Sequence, residues 1–431
     1  MNYLNTKKII EYLIILFPFS LVTGPLMPEL ILLISIILFF ILIYKTNNFN
    51  FLINDFSKIF LIFYLLIVIR SFFADESLVS LKNTFFYFRF LILALIIKYL
   101  ILNNSKFINN LIISFTIMLS IISIDSIIEF TVGGHWLFDK TSYAENDNYR
   151  ISGLFDEEYI IGGFILAFSP TILFLINDHL KINKKYKIFF IITLLIIFTI
   201  SIIISGERSS LAKMTLLLIL IIFFTSMFGK LRFKLITTML MIFFISIFVI
   251  SQPKLNERLI YHTFDLILQN NLQKKIDRNL SIYEYFKSTD LKNLNFTYYS
   301  REHEDHAKIS INMFKDKFIF GHGVKMFRFS CSKDEYFINI RACSTHPHGI
   351  FFSFISELGI IGLIFLITIY YFLVRKILIS NENTEKVILL TILIYLFPFV
   401  PSGYFFNNFF SLVLYFLVGI YLGKKKLNLD N

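Results

Sequence analysis

The sequence predicts an all-α polytopic membrane protein. Three observations carry that prediction: charge is scarce, apolar runs of span length recur, and Lys and Arg cluster between those runs. Of 431 residues, 56% are hydrophobic and only 16% charged, with 54 Phe and a mean hydropathy of +0.70. A soluble domain carries roughly 25% charged residues and about 45–50% apolar ones. That shortfall excludes an ordinary cytosolic enzyme and a disordered chain alike. The net charge of +11 and the pI near 9.3 invite a nucleic-acid partner. The basic residues, however, sit in short clusters between apolar runs, where they orient spans in a bilayer, so the expected partner is membrane lipid and not nucleic acid. Two Cys exclude a cysteine-rich metal scaffold and leave room for one disulfide.

A helix crosses the hydrocarbon in about 20 residues. Apolar runs of that order fall near 9–22, 28–44, 57–73, 84–102, 107–130, 159–176, 187–205, 209–228, 232–250, 349–373, 385–400 and 404–423, about twelve spans in all. Several, such as FFIITLLIIFTISIII, are apolar all round, as lipid-facing helices are. The first run follows Lys7 and Lys8 like a signal peptide, but no small-residue cleavage site follows it, so it reads as a retained span. Inverted repeats of the kind many transporters carry are not visible.

Short-loop charge sets the direction. Alternate segments, counted from the N-terminus, hold 19 Lys and Arg, against five in the intervening short loops and their edges. Both termini are therefore expected in the cytoplasm, and the long segment 251–347 on the opposite face. Seven of the eight His then lie outside, with only His179 inside. Cys331 and Cys343 also lie outside, where a disulfide persists, and they are expected to pair. The chain divides into 1–130, spans one to five; 131–250, an outer loop and spans six to nine; 251–347, the large outer loop; and 348–431, spans ten to twelve with a cytoplasmic tail.

The outer face holds the polar residues that need a reason. SGERSSLAKM, 205–214, is a tight turn between two apolar spans, and it places Arg208 beside the hydrocarbon on the side where positive charge is avoided. Such an arginine either snorkels to solvate a helix end or binds an anion, because its guanidinium fork suits diphosphate oxygens and the next helix offers its first amides. Arg70 and Arg89, near the outer ends of two other spans, are candidates to widen the same basic pocket. STHPHGIFFSFISELGIIGL, 344–363, closes the long loop with His346 and His348 at the water boundary. No third ligand is spaced beside them in a known metal pattern, so no metal is expected. Imidazole near an anion pocket suits acid–base work, which makes His348 the first candidate and His346 the second. Glu357 lies half a helical rotation from His348, against a direct His–Glu dyad. Gly359 and Gly362 read as a close helix-packing site.

The arginine turn, the long outer loop and HPHGIFFSFISELGIIGL together resemble the O-antigen ligase and O-antigen polymerase superfamily, whose closing pattern is His-Asn, an apolar stretch and Glu-x-Gly-x-x-Gly. His348, Glu357, Gly359 and Gly362 match it, and Gly349 stands where Asn is usual. SREHEDHAKISINMFKDKFIFGHGVKMFRFSC, 300–331, is similar to the family's loop through Arg301, Gly321 and Gly323; RISGLFDEEYIIGGF, 150–164, resembles its pre-helix segment. The resemblance implies a GT-C-like membrane glycosyltransferase of the bacterial inner membrane, without metal or other cofactor. It would take a glycan from an undecaprenyl-diphosphate carrier and place it on lipid A-core at the periplasmic face. The alternative is a polymerase that joins carrier-linked repeat units. On this reading Arg208 and Arg301, with Arg70 or Arg89, bind the diphosphate, and His348 serves the acceptor. A flippase or other transporter is the reading from another class. It would place ionisable groups near the midplane, whereas here they crowd the outer boundary, with Lys213 among the few deeper.

Overall fold

A computed structural model describes residues 3–135, 150–156, 158–227, 229–261, 263, 300–339 and 342–427. Its secondary structure is helical, with no strand among the described residues. Lys140 and His262 lie outside the described residues, and of Arg301 only the backbone is described. The principal helices are α1 (Tyr3–Ser20), α2 (Leu26–Thr46), α3 (Asp55–Phe72), α4 (Ser77–Thr84), α5 (Phe88–Asn103), α6 (Ser105–Val132) and α7 (Ile161–His179). They continue as α8 (Lys184–Ile204), α9 (Arg208–Phe224), α10 (Leu231–Ser251), α11 (Arg301–Asp316), α12 (Ile350–Ile379), α13 (Asn383–Tyr395) and α14 (Asn408–Leu427).

Helices occupy all twelve segments expected to span. Seven are long and apolar enough to cross a bilayer: α2, the joined α4–α5, α6, α7, α8, α10 and α12. The other five differ for local reasons. Helices α1 and α3 carry three charged residues each, α9 has 17 residues, and α14 is an apolar helix ending in three lysines. Helix α13 stops at Tyr395, after 13 residues. Pro398 and Pro401 follow, and proline cannot continue a helix. Helix α10 buries only 6% of its apolar window, as a helix bathed in lipid does.

The inner face of the bundle is closed by Gly419 and Gly423 of α14. A methyl group at Gly419 would stand 2.8 Å from Ile97 Cβ, and one at Gly423 2.8 Å from Ile101 Cβ. Four residues apart on one helix face, they let α14 and α5 approach closely, the small-xxx-small device of membrane helices. Stacked rings fill the other end of this core, where Phe63 lies 4.4 Å from Phe365 and 6.2 Å from Phe354.

The segments expected on one side of the bilayer meet one another. Lys424 bonds Asp178, Lys386 the carbonyl of Phe224, and Lys7 the carbonyl of Asn103, all at the end assigned to the cytoplasm. At the opposite end Asp75, after α3, receives Lys317 at 2.8 Å and Lys333 at 2.7 Å from the long loop. Those two hydrogen bonds hold its carboxyl down at about 2.

Candidate active site

The long loop is locked to α12 by backbone. At Gly359 the helix breaks, with φ 63° and ψ −153°. Residues 318–323 insert there: Ile360 N–H donates to Phe318 C=O at 2.8 Å, His322 N–H to Ser356 C=O at 3.0 Å, and Gly323 N–H to Glu357 C=O at 2.8 Å. The backbone groups freed by the kink are thereby paired. A Cβ at Gly321 would stand 2.4 Å from Glu357 backbone, and one at Gly359 2.6 Å from Ile319 backbone, so both positions need glycine. Gly359 and Gly362 thus serve a kink within α12 and not a contact with another span, because Gly362 closes on Leu358 and Phe354 of its own helix. The Glu357 carboxylate, fully buried, accepts from Tyr404 O–H at 2.5 Å, and the Tyr404 hydroxyl accepts Lys325 N–H at 2.9 Å. Lys325 is held at φ 66° by these bonds.

Above this lock, α11 and the loop before α12 bring four imidazoles together. The His348 ring centroid lies 4.0 Å from His346, 5.2 Å from His306 and 5.4 Å from His303. His348 sits at φ 51°, and its C=O accepts Ser402 N–H at 3.0 Å. Strained backbone of this kind persists where the surroundings over-determine it. Burial keeps these rings neutral: His303 and His348 are pushed down to about 4 and His346 to about 3. Mutual repulsion adds to this, with Arg208 acting on His303, and Arg328 and Lys325 on His346. The imidazoles therefore lie between two cationic flanks.

All of this opens into a cavity of roughly 1500 Å³, lined by Arg208, Ser209, Lys213, His303, His306, Lys325, His346 and His348. Its walls away from the charges are apolar, with Leu21, Val22, Leu166, Ile394, Phe399 and Val413 among them. Arg208 opens α9, makes no hydrogen bond or ion pair to a described residue, and is half-buried. The preceding Glu207 also lines the cavity, but its carboxylate is spent capping α7. Its carboxylate accepts Gly162 N–H at 2.7 Å, Gly163 N–H at 3.2 Å and Ser210 O–H at 2.6 Å. A carboxylate suits that helix end, and with Glu207 so occupied Arg208 is left facing the cavity. The arrangement can therefore receive an anion at Arg208 and the first amides of α9, and a hydroxyl at the imidazoles.

Residues 192–367 match the family model described as O-antigen ligase. Over that stretch, less than half of its 431 residues, the chain is similar to the O-antigen ligase family. No curated protein matches the chain. The matched segment runs from within α8 to the middle of α12, so it contains Arg208, α11, all four clustered imidazoles and the Gly321–Gly359 lock. It supports an O-antigen ligase or polymerase type of function for this membrane protein, in a family of glycosyltransferase-like enzymes. Tyr404 and the apolar wall from α1 and α13–α14 lie outside the matched segment.

Of the residues singled out in the sequence, the structure brings Arg208, His346 and His348 to one cavity. Arg70 and Arg89 do not line it. Arg70 spends its guanidinium on carbonyls, with Nε 3.0 Å from both Phe320 O and Gly321 O and Nη1 2.7 Å from Phe73 O. It is a clamp on the loop that locks α12. Arg89 pairs with Glu29 at 3.1 Å and Asn408 at 2.8 Å, which ties α2, α5 and α14 together. A cation already satisfied by buried or fixed acceptors has little left for a ligand. Arg301 is the first residue of α11. Cys331 and Cys343 are joined, 12 residues apart, under α11. His303, His306, Lys325, Glu207 and Tyr404 join this site only through the tertiary structure. Only the paired Gly162 and Gly163 and the spacing of three between His303 and His306 hinted at two of these contacts.

Proposed function

We propose that this chain transfers a glycan from a polyprenyl-diphosphate carrier to a hydroxyl of lipid A-core on the outer face of the bacterial inner membrane. The observation that carries the proposal is the placement of Arg208, without a partner among the described residues at the start of α9, in one cavity with the neutral His346–His348 pair. A lipid carrier needs a site that borders hydrocarbon, and the apolar walls supply it. Its diphosphate lies against Arg208 and the α9 amides, with Arg301 as a further diphosphate ligand, and these groups stabilise the charge that develops as the bond to the sugar breaks. The acceptor oxygen bonds to the anomeric carbon, the carbon–oxygen bond to the diphosphate breaks, and the diphosphate stays on the carrier. The acceptor proton passes to His348. In the tautomer whose Nε2–H donates to Ser344 Oγ, 3.1 Å away, Nδ1 carries the lone pair that takes it. Both termini lie in the cytoplasm, in keeping with the Lys and Arg clusters at the opposite end of the bundle.

The test is a strain that lacks the chain, together with purified protein in liposomes. Loss of capped lipopolysaccharide with accumulation of long carrier-linked glycan is the expected result, with release of the free carrier diphosphate in vitro. Caps of a single repeat would make the chain a polymerase. Movement of unaltered donor across the bilayer would make it a transporter.

The imidazoles also set a pH dependence. Unfolded histidine titrates near 6.5, and the folded values of about 4 for His303 and His348 and about 3 for His346 lie below it. Between those values the unfolded chain binds more protons, so stability rises with pH there, is complete above about 6.5, and falls as the pH drops towards 4. Transfer is expected to hold level from pH 8 to about pH 5 and to fall below it, as His348 becomes protonated. A rate that halves near pH 6.5 would show an ordinary exposed histidine in that role.

A further inference from the structure

His306 stands apart within the imidazole cluster. It is only 4% exposed and lines the cavity, yet neither ring nitrogen has a hydrogen-bond partner among the described residues. Its neighbours each hold a hydroxyl: His303 Nδ1 meets Ser300 Oγ at 2.5 Å, His346 Nδ1 meets Thr345 Oγ1 at 2.9 Å, and His348 Nε2 meets Ser344 Oγ at 3.1 Å. A buried ring nitrogen left without a partner forfeits its hydration, so native proteins keep few of them and those few call for an explanation. The His306 ring lies 5.2 Å from His348 with 27° between their planes, so the two imidazoles stand side by side. Burial lowers the affinity of His306 for a proton, against the smaller pull of Glu302 and Asp305. A neutral imidazole offers one lone pair and one N–H and no charge. A hydroxyl suits either nitrogen, since it can donate to the lone pair or accept from the N–H, whereas a phosphate or carboxylate would prefer the nearby cations.

We infer that His306 is an acceptor-binding residue, holding the sugar hydroxyl next to the one that attacks. The inference rests on the transfer reading above and adds a contact specific to the acceptor. It is tested with His306→Phe, which keeps the ring and removes the hydrogen bond, and with His306→Gln and His306→Asn, which restore a donor and an acceptor. The acceptor probe is the lipopolysaccharide fraction of a strain lacking the chain, titrated at fixed donor; donor is then titrated at fixed acceptor. The expected result is a rise of about tenfold or more in half-saturating acceptor for His306→Phe, unchanged half-saturating donor, and partial recovery in the Gln or Asn variant. Unchanged acceptor dependence, or a shift in donor dependence instead, would overturn the inference. So would equal losses in all three variants with lowered melting temperatures, which would make His306 a packing residue. A second measurement separates this inference from the transfer reading. In protein labelled with 15N-histidine, the same lipopolysaccharide fraction without donor should shift the His306 ring nitrogens. If the wild-type protein transfers nothing yet that shift appears, the reaction assigned above fails and the His306 contact stands. If transfer proceeds without the shift, the His306 contact fails.

Discussion

Replacing Arg208 with alanine should lower glycan transfer by about 10²–10³-fold while the protein still inserts and folds, because one preorganised donor aimed at developing charge contributes on that order in other enzymes. The structural reason to expect a catalytic and not a folding loss is that Arg208 holds no described residue in place. Its neighbours Glu207 and Ser210 carry the local hydrogen bonds that join α9 to α7. Arg208→Lys should retain part of the rate, since lysine keeps the charge and loses the planar fork. The measurement is release of carrier diphosphate by proteoliposomes, with the melting temperature as control. Full activity in a correctly inserted Arg208→Ala protein would remove the diphosphate role.

The largest expected effect on stability is at Gly359. Alanine there has to adopt φ 63°, and its Cβ would meet the Ile319 C and O atoms and the Phe318 O atom, each at 2.6 Å. These are backbone atoms of a segment that is itself hydrogen-bonded to α12, so they cannot swing aside as a side-chain tip would. Strain of this kind costs about 1–3 kcal/mol for the dihedral alone, and displacement of the inserted loop adds to it. Gly359→Ala should therefore fail to accumulate as folded protein or melt well below the wild type. Gly134→Ala is the control: no described residue lies within 4 Å of its Cβ, and it should behave as wild type. Equal melting of the two variants would mean that the loop is not locked at this kink.

Both predictions turn on features that differ in how far the sequence discloses them. Arg208 was legible because a charge beside an apolar run on the sparsely charged face is anomalous, and an anomaly of composition survives without coordinates. The closing motif was legible as a pattern, but its job was not. Glu357 and Gly359 act on Tyr404 and on residues 318–323, contacts between distant segments that no periodicity within α12 encodes. Arg70 and Arg89 mark the opposite failure. In sequence they look equivalent to Arg208, near the outer end of a span, and only their acceptors distinguish a clamp or an ion pair from an open ligand. His306 was invisible for a related reason, since an imidazole on an amphipathic helix of the long loop is unremarkable until its burial is known.

What the sequence by itself determined is the solvent of each segment. Hydrocarbon tolerates so few charges over so many residues that the apolar segments stand out from composition alone, and the Lys and Arg clusters say which loops are expected to share a side. What only the tertiary structure decided is which polar groups are free to act. That depends on whether each donor has found an acceptor within about 3 Å, and the partner can lie on a segment far along the chain, as Phe320 lies 250 residues from Arg70.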